Sequence, residues 1–315
     1  MIKNKNISII IPAYNEADNL GLLFEEIQNV MMKGGGNKYE VIIINDGSTD
    51  NTEEIIKKLH NKYPENIIGV NLCANCGKAV ALNTGFKIAK GDIVFTMDAD
   101  LQDDPKEIPR FIKKIEEGFD CISGWKKDRK DTFIKNKTSK IYNYATQKAS
   151  GLKLHDFNCG FKAYRKEYIK KINIYGELHR YIPVILKTYG CRITEIEVNH
   201  RKRKFGKTKY GIDRFIKGFL DLFTVIFITR YNARPLHLFG LFGMMSFSLG
   251  CAAGLYLLAI RIVTGSLLTH EPLLISSVML VILGMQTMFT GLLSEQIVNT
   301  TNRQNQDDPI RNILK

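Results

Sequence analysis

Two stretches of this chain carry no Asp, Glu, Lys or Arg: Pro235 to Ile260 and Pro272 to Ser294, 26 and 23 residues long. About 20 apolar residues in helix cross the hydrocarbon of a bilayer. Uncharged runs of that length predict two transmembrane spans, about 235–260 and 272–294, joined by a short loop. The flanking charges give a direction. Arg230 and Arg234 precede the first span, whereas the loop 261–271 holds Arg261 as its fixed positive charge. Basic residues are retained on the cytoplasmic side, so residues 1–234 and the tail 296–315 are expected there. Lys3 and Lys5 precede only the short run Ile7–Ile11 before Pro12, which reads as a strand rather than the apolar region of a signal peptide.

The other two thirds of the chain are basic. Of 315 residues, 45 are Lys or Arg and 32 are Asp or Glu, giving a formal charge of +13. Such an excess suggests an anionic partner: nucleic acid, a phosphorylated substrate or a membrane surface. Residues 124–140 hold seven Lys or Arg and residues 201–217 hold eight. Both clusters lie ahead of membrane-directed sequence, which argues against nucleic acid. Phe215, Phe219, Leu220, Phe223, Ile226 and Phe227, mixed with Lys217 and Asp221, suit an amphipathic segment over 213–234 lying at the bilayer interface. Six cysteines fit a reducing compartment. Cys73 and Cys76 have CxxC spacing with no second pair to complete a zinc site, and read as ordinary thiols.

Before Gly124 the apolar pattern alternates between two periods. Short runs at Ile7–Ile11, Val41–Ile44, Ile67–Val70, Ile93–Met97 and Cys121–Ser123 predict strands. Between them the spacings of Leu20, Leu23, Phe24 and Ile27, of Ile55, Ile56 and Leu59, of Leu82, Phe86 and Ala89, and of Ile108, Phe111 and Ile115 predict helices. Strand–helix alternation of this kind predicts a mostly parallel α/β sheet between helices, with ligands beyond the carboxyl ends of the strands. Polar clusters stand at three of those ends: PAYNE after the first strand, NDGSTDN after the second, and DADLQDD after the fourth.

The last cluster puts Asp98, Asp100, Asp103 and Asp104 within seven residues. Like charges this close need neutralising. Asp104-Pro105-Lys106-Glu107 reads as an N-cap with proline in the first helical position, and Asp103 as loop surface. Asp98, Asp100 and Gln102 remain, alternating along an extended segment so that their oxygens share one side. Such a set suits Mg²⁺ or Mn²⁺. An EF-hand is excluded because its sixth and twelfth positions would be Asp103 and Pro109, and a Walker loop because Leu72 and Ala79 replace its glycine and its Ser/Thr.

PAYNE, NDGSTD, the stretch Asn75–Gly85 and MDADLQDDP together resemble inverting family 2 glycosyltransferases of the GT-A fold. SGWKKDRKD and Asn158-Cys159-Gly160-Phe161-Lys162-Ala163-Tyr164 narrow the resemblance to polyprenyl-phosphate glycosyltransferases, the group of dolichol-phosphate mannose synthases and bactoprenol glucosyltransferases. It covers residues 7 to about 212, and two C-terminal spans match the bactoprenol type.

The resemblance implies a catalytic domain over 1–212, a juxtamembrane segment 213–234, two spans within 235–295 and a polar tail 296–315. It implies that Pro12, Tyr14, Glu16, Asp46, Ser48, Lys78 and Asp98 bind the nucleotide sugar, and that Asp100 and Gln102, with Asp98, hold the metal. Asp98, Asp100, Lys126, Arg129, Arg203 and Lys209 would be catalytic, and Lys126, Arg129, Arg203, Lys207 and Lys209 would meet the acceptor phosphate. Departures are Asn45 for the family's usual Asp, Cys76 for an aromatic, and Lys126 for Arg. The implied reaction carries a hexose, with UDP-glucose favoured as donor, to undecaprenyl or another polyprenyl phosphate at the cytoplasmic membrane. The enzyme would be a homo-oligomer. N-acetylglucosamine, galactose or mannose as the sugar, a non-lipid acceptor, and an inactive membrane scaffold are the competing readings. A processive polysaccharide synthase would carry QxxRW, but the only tryptophan, Trp125, follows Gly124.

Overall fold

The computed structural model describes residues 5–33, 38–127, 143, 144, 146–148, 150–201, 224, 227, 235–264 and 270–304. Arg129, Arg203, Lys207, Lys209 and nearly all of the 213–234 segment lie outside the described residues. The chain falls into two compact units, Met1–Val225 and Ile226–Lys315.

The first unit opens with β1 (Ile7–Ala13), α1 (Ala17–Lys33), β2 (Tyr39–Asn45), α2 (Thr52–Lys62), β3 (Ile67–Asn71), α3 (Lys78–Ile88) and β4 (Ile93–Thr96). It continues through α4 (Ile108–Glu116), β5 (Cys121–Trp125), β6 (Lys162–Arg165), α5 (Ile182–Thr188) and β7 (Ile193–Glu197). Seven strands form one sheet in the order β3-β2-β1-β4-β6-β5-β7. The chain steps outward from β1 to β2 and β3, then returns to β4 on the other edge of β1. That reversal opens a crevice at the carboxyl ends of β1 and β4, where open α/β sheets bind ligands. Ile9 and Ile11 of β1 face Val41 and Ile43 of β2 in register, and Ile9 faces Phe95 of β4. All five are buried, as are Ile10, Ile42 and Ile44 on the opposite face, consistent with a parallel sheet covered on both faces.

The sheet is mostly parallel, as expected, but β6 runs antiparallel to both β4 and β5. Its sequence, KAYR, carries a cation at each end and gives no apolar run, so hydrophobic periodicity does not reveal it. Beneath the sheet Phe95, Phe111 and Phe161 form an aromatic cluster with ring centroids 4.5–6.2 Å apart. Burial of each such ring contributes about 1.5–3 kcal/mol, and the cluster fixes the strand β4 that leads into the acidic turn.

The second unit is a pair of helices, α6 (Leu236–Thr264) and α7 (Glu271–Gln304). Both contain segments long and apolar enough to cross a membrane, of 29 and 28 residues. Their contact face is built from small residues. A Cβ on Gly243 would lie 2.8 Å from the Gly284 carbonyl oxygen, and one on Gly284 would lie 2.5 Å from the Phe247 nitrogen. Ser246 Oγ donates to the Leu280 carbonyl at 2.9 Å, and Glu295 accepts from the Leu236 N–H at 3.1 Å. Outward faces are apolar and exposed, as at Leu241, Leu255, Ile262, Ile282 and Phe289. A face of this kind suits hydrocarbon rather than water.

Candidate active site

Loops from β1, β2 and β4 are tied together at the carboxyl edge of the sheet. Asn15, at φ 54°, donates its N–H to Ser48 Oγ at 2.9 Å and accepts from the Thr49 N–H at 2.8 Å. Glu16 N–H donates to Thr52 Oγ1 at 2.9 Å. The PAYNE loop and the NDGSTD loop are thereby joined, with half-buried Tyr14 and Pro12 on one side and half-buried Ser48 on the other. Glu16 also begins α1: its carbonyl accepts from Asn19 and Leu20, and its carboxylate accepts from Asn19 Nδ2 at 2.6 Å. Asn45, where the family usually has Asp, uses both ends of its amide. It donates to Asn71 Oδ1 at 2.9 Å and accepts from the Ser48 N–H at 3.0 Å; a carboxylate could not do the first.

Asp46 is buried, and its two oxygens accept from the N–H groups of Cys76 (2.8 Å) and Gly77 (3.0 Å). The contact needs the β2 loop to touch the chain before α3. Gly47, at φ +66°, allows it: a Cβ there would sit 2.4 Å from the Ala74 carbonyl carbon. Cys73 and Cys76 are exposed free thiols. The same loop delivers Lys78, the first residue of α3, whose ammonium pairs with Asp98.

The acidic segment is a turn rather than the extended segment expected, since β4 ends at Thr96. Alternation survives in the burial. Met97, Ala99 and Leu101 are buried, while Asp98, Asp100 and Gln102 are partly exposed. Leu101 holds φ 60°, a conformation disfavoured for a branched side chain and typical of strain kept at functional sites. Asp100 Oδ1 accepts from the Gln102 N–H at 3.2 Å. The expectation that Asp103 is loop surface is overturned. Asp103 is 1% exposed, accepts from the Asp98 N–H at 3.3 Å and pairs with Lys126 Nζ at 2.8 Å. It also forms an isolated antiparallel bridge with His200. Asp104 does cap, accepting from the Lys106 N–H at 3.0 Å, and it also pairs with Arg201, which reaches Glu26 at 2.8 Å. The crowding of acids is thus answered by three cations: Lys78 for Asp98, Lys126 for Asp103 and Arg201 for Asp104.

Electrostatics follow from these pairs. Burial works against ionisation of Asp98, but Lys78 and Lys126 outweigh it and hold the carboxyl well below its usual range. Burial likewise opposes the charge on Lys126, and Asp103 reverses that, raising the ammonium above its ordinary value. Asp98, Asp100 and Gln102 offer two carboxylates and an amide oxygen on one side of the turn. Among the described residues no three His, Cys, Asp or Glu side chains cluster to enclose an ion. An open, all-oxygen set fits a hard cation that keeps waters and takes phosphate oxygens, and not zinc.

Several residues at the site escape sequence reasoning. Gly160 abuts Asp98 so closely that a Cβ would lie 2.5 Å from Oδ2, and its carbonyl accepts from Thr96 Oγ1 at 2.8 Å. Lys162 is buried and donates to the carbonyls of Phe157 and Cys159, bracing that loop; burial depresses its pKa. Asp156 is 1% exposed and accepts from the Asn158 N–H at 3.0 Å. His179 is held neutral, by burial first and then by Lys78, Arg180 and Lys162. None carried a periodic or charge-cluster signal; only the glycine within the Asn158–Tyr164 motif hinted at a close approach.

The family model described as glycosyl transferase family 2 matches residues 8–173. A dodecaprenyl-phosphate galacturonate synthase of Rhizobium johnstonii is 35% identical over 306 residues, 96% of this chain and 90% of that protein. An undecaprenyl-phosphate 4-deoxy-4-formamido-L-arabinose transferase of Klebsiella pneumoniae is 33% identical over 294 residues, 93% of this chain and 88% of that protein. Among solved structures, glucosyl-3-phosphoglycerate synthase from Mycobacterium tuberculosis matches with a TM-score of 0.54 at 18% identity, over 71% of this chain and 79% of that one. The same enzyme solved with Mn²⁺ and uridine-diphosphate-glucose matches at 0.53. At that identity the likeness speaks for the fold, which is the GT-A type expected.

Proposed function

The chain belongs to glycosyl transferase family 2, and we propose that it transfers a sugar from a nucleoside diphosphate to the phosphate of a long-chain polyprenol, with inversion at the anomeric carbon. One observation supports this above others. Asp98, in the turn after β4, pairs with Lys78 at the start of α3, in a chain that also supplies two helices of membrane length. The relatives named for dodecaprenyl and undecaprenyl phosphate align over nearly the whole chain, helices included.

Asp46 and the loop it organises would take the base, with Tyr14, Glu16 and Ser48 beside the ribose. Asp98 would bound the donor's reacting end. Asp100 and Gln102, with Asp98, would hold Mg²⁺ or Mn²⁺, which when bound supplies positive charge to the leaving diphosphate. Lys78 keeps Asp98 ionised and fixed. Lys126 points its ammonium at Asp103, so its part is to brace the turn, and the acceptor phosphate would fall to Arg129, Arg203, Lys207 and Lys209. A polyprenyl phosphate is already anionic near neutral pH, so attack on the anomeric carbon does not require a strong general base. We propose residues 1–212 as the catalytic domain on the cytoplasmic side of the inner membrane, tethered to it by the helices.

Glucose as the sugar rested on likeness to bactoprenol glucosyltransferases, whereas the relatives' names carry galacturonate and a formamido-arabinose. A uridine nucleotide remains the favoured donor, with these sugars beside glucose as candidates. Membranes containing the protein, undecaprenyl phosphate and radiolabelled UDP-glucose, UDP-galacturonate, UDP-N-acetylglucosamine or GDP-mannose test the proposal. Label should enter the organic phase only with divalent metal and added lipid phosphate. Label that stays aqueous with every donor, while the protein is folded, would remove the lipid acceptor.

A further inference from the structure

Next to Asp98, on the α3 side of the sheet, lies a small cavity lined in part by Lys78, Thr96, Asn158, Gly160, His179 and Arg180. Most of these groups have partners. Lys78 pairs with Asp98 and Arg180 with Glu177, while Thr96 donates to the Gly160 carbonyl. Two do not. Asn158 Oδ1 and His179 Nδ1 are buried with no hydrogen-bond partner, and the hydroxyl of Tyr164, which lines the same cavity from β6, is a third such atom. A buried polar atom left without a partner is destabilising, and three of them on residues that line one cavity call for an explanation.

Asn158 and His179 are held firmly in place. Asn158 follows Asp156, which accepts from its N–H, and Lys162 braces the carbonyls of Phe157 and Cys159 on either side of it. His179 sits in a short 3-10 turn, Leu178–Tyr181. Upstream of that turn, Asn83 of α3 grips Ile174, accepting from its N–H at 3.1 Å and donating to its carbonyl. These anchors make it costly for either side chain to find a partner by relaxing.

The strand order says what would come to meet them. Asp46 follows β2 and the acidic turn follows β4, with β1 between, a separation of about 10 Å at the usual strand spacing. A nucleoside diphosphate with its base at Asp46 and its diphosphate at Asp100 spans that distance. The next strand outward is β6, beside which the cavity lies. The group reaching it is the one attached to the terminal phosphate. Resting on the function proposed above, we infer that Asn158 and His179 form the wall that reads the hydroxyl groups of the transferred sugar, and so select which sugar the enzyme accepts. Sugar hydroxyls both donate and accept, which an amide oxygen and an imidazole nitrogen require. A site built to hydrogen-bond a hydroxyl rejects an analogue that lacks it or presents it elsewhere.

The test compares full-length wild-type protein in nanodiscs with His179→Ala, His179→Asn and Asn158→Ala. With undecaprenyl phosphate as acceptor, kcat/KM is measured for UDP-glucose, UDP-galacturonate and UDP-N-acetylglucosamine, together with the inhibition constant of UDP. The ratio of kcat/KM between preferred and poorer donors should fall about tenfold in the alanine variants, with the UDP constant unchanged. His179→Asn, which keeps a hydrogen-bonding group near the Nδ1 position, should recover part of the ratio. Equal losses for every donor would make the two residues merely structural, and a parallel rise in the UDP constant would assign them to the nucleotide; either result overturns the inference. A wild type that neither turns over any donor nor binds UDP in a direct binding measurement would instead sink the proposed function, and this inference with it.

Discussion

Glycine serves opposite ends in the two units of this chain. In the α/β unit it clears space for a functional side chain or a crossing loop: Gly160 leaves room for the Asp98 carboxylate, and Gly47 for the chain at Ala74. In the helix pair Gly243, Gly250 and Gly284 bring backbone against backbone, with Cβ positions 2.5–2.8 Å from main-chain atoms of the partner helix. The first unit is stabilised by excluding water from Ile9, Ile42, Phe95 and their neighbours. The second exposes its large apolar side chains and closes on small ones, as helices must where the surroundings are as apolar as leucine. Changes in the first unit should therefore register in chemistry, and changes in the second in assembly.

The sharpest break of that comparison comes at Asp98. Asp98→Asn keeps the shape of the side chain, removes the charge that pairs with Lys78, and leaves the core untouched. Transfer should fall about 10²- to 10³-fold in kcat, with thermal unfolding near that of the parent. Turnover within a few-fold of wild type would remove Asp98 from the chemistry.

Gly160→Ala tests the same carboxylate without touching it. The added methyl must push Asp98 or the Asn158–Gly160 loop aside, and displacement of a reacting group by about 1 Å costs up to about 10²-fold. Donor transfer is the readout. Undiminished activity would mean that the close contact is incidental.

Gly284→Leu is the counterpart in the helix pair. Overpacking at a backbone contact costs about 1–3 kcal/mol, so cross-linking between cysteines placed on α6 and α7 should drop. The α/β unit should retain donor binding, measured with UDP. If UDP binding were lost along with the cross-link, the two units would not be separable in this way.

How far the sequence discloses this arrangement depends on the interaction concerned. Strands β1 to β5 and helices α1 to α4 could be read because burial imposes a period on consecutive residues. The Asp104 cap could be read because its partners lie two and three residues away. The fate of Asp103 could not: the same letters serve a surface loop or a buried ion pair, and the choice is made by Lys126, brought in from the end of β5. His179 was illegible for a similar reason, since its cavity is assembled from α3, β4 and the loop before β6. Strand β6 escaped because a four-residue strand between two neighbours needs no apolar run when its cations can turn to carbonyls, as Lys162 does.

Asp104 closes the comparison within the acidic turn, because its contacts are those of a cap and an ion pair, where Asp98 is proposed to meet the donor. Burial works to raise the Asp104 carboxyl, but hydrogen bonds from Arg201 and the Lys106 N–H outweigh it and hold the group below its ordinary value. A carboxyl depressed in the fold contributes stability that is fully present above its unfolded value, near pH 4, and is lost as pH falls through the folded value. Asp104→Ala should cost about 1–2 kcal/mol at neutral pH through loss of the cap, with transfer activity close to wild type. The difference in unfolding temperature between parent and variant should hold constant from neutral pH down to about pH 4 and shrink below it. Trp125, the only tryptophan, stacks on His155 at 4.2 Å, and its fluorescence supplies the unfolding signal. A variant whose activity collapsed while its unfolding stayed parental would place Asp104 with Asp98, and the division of the four acids into one pair for chemistry and one for structure would fail.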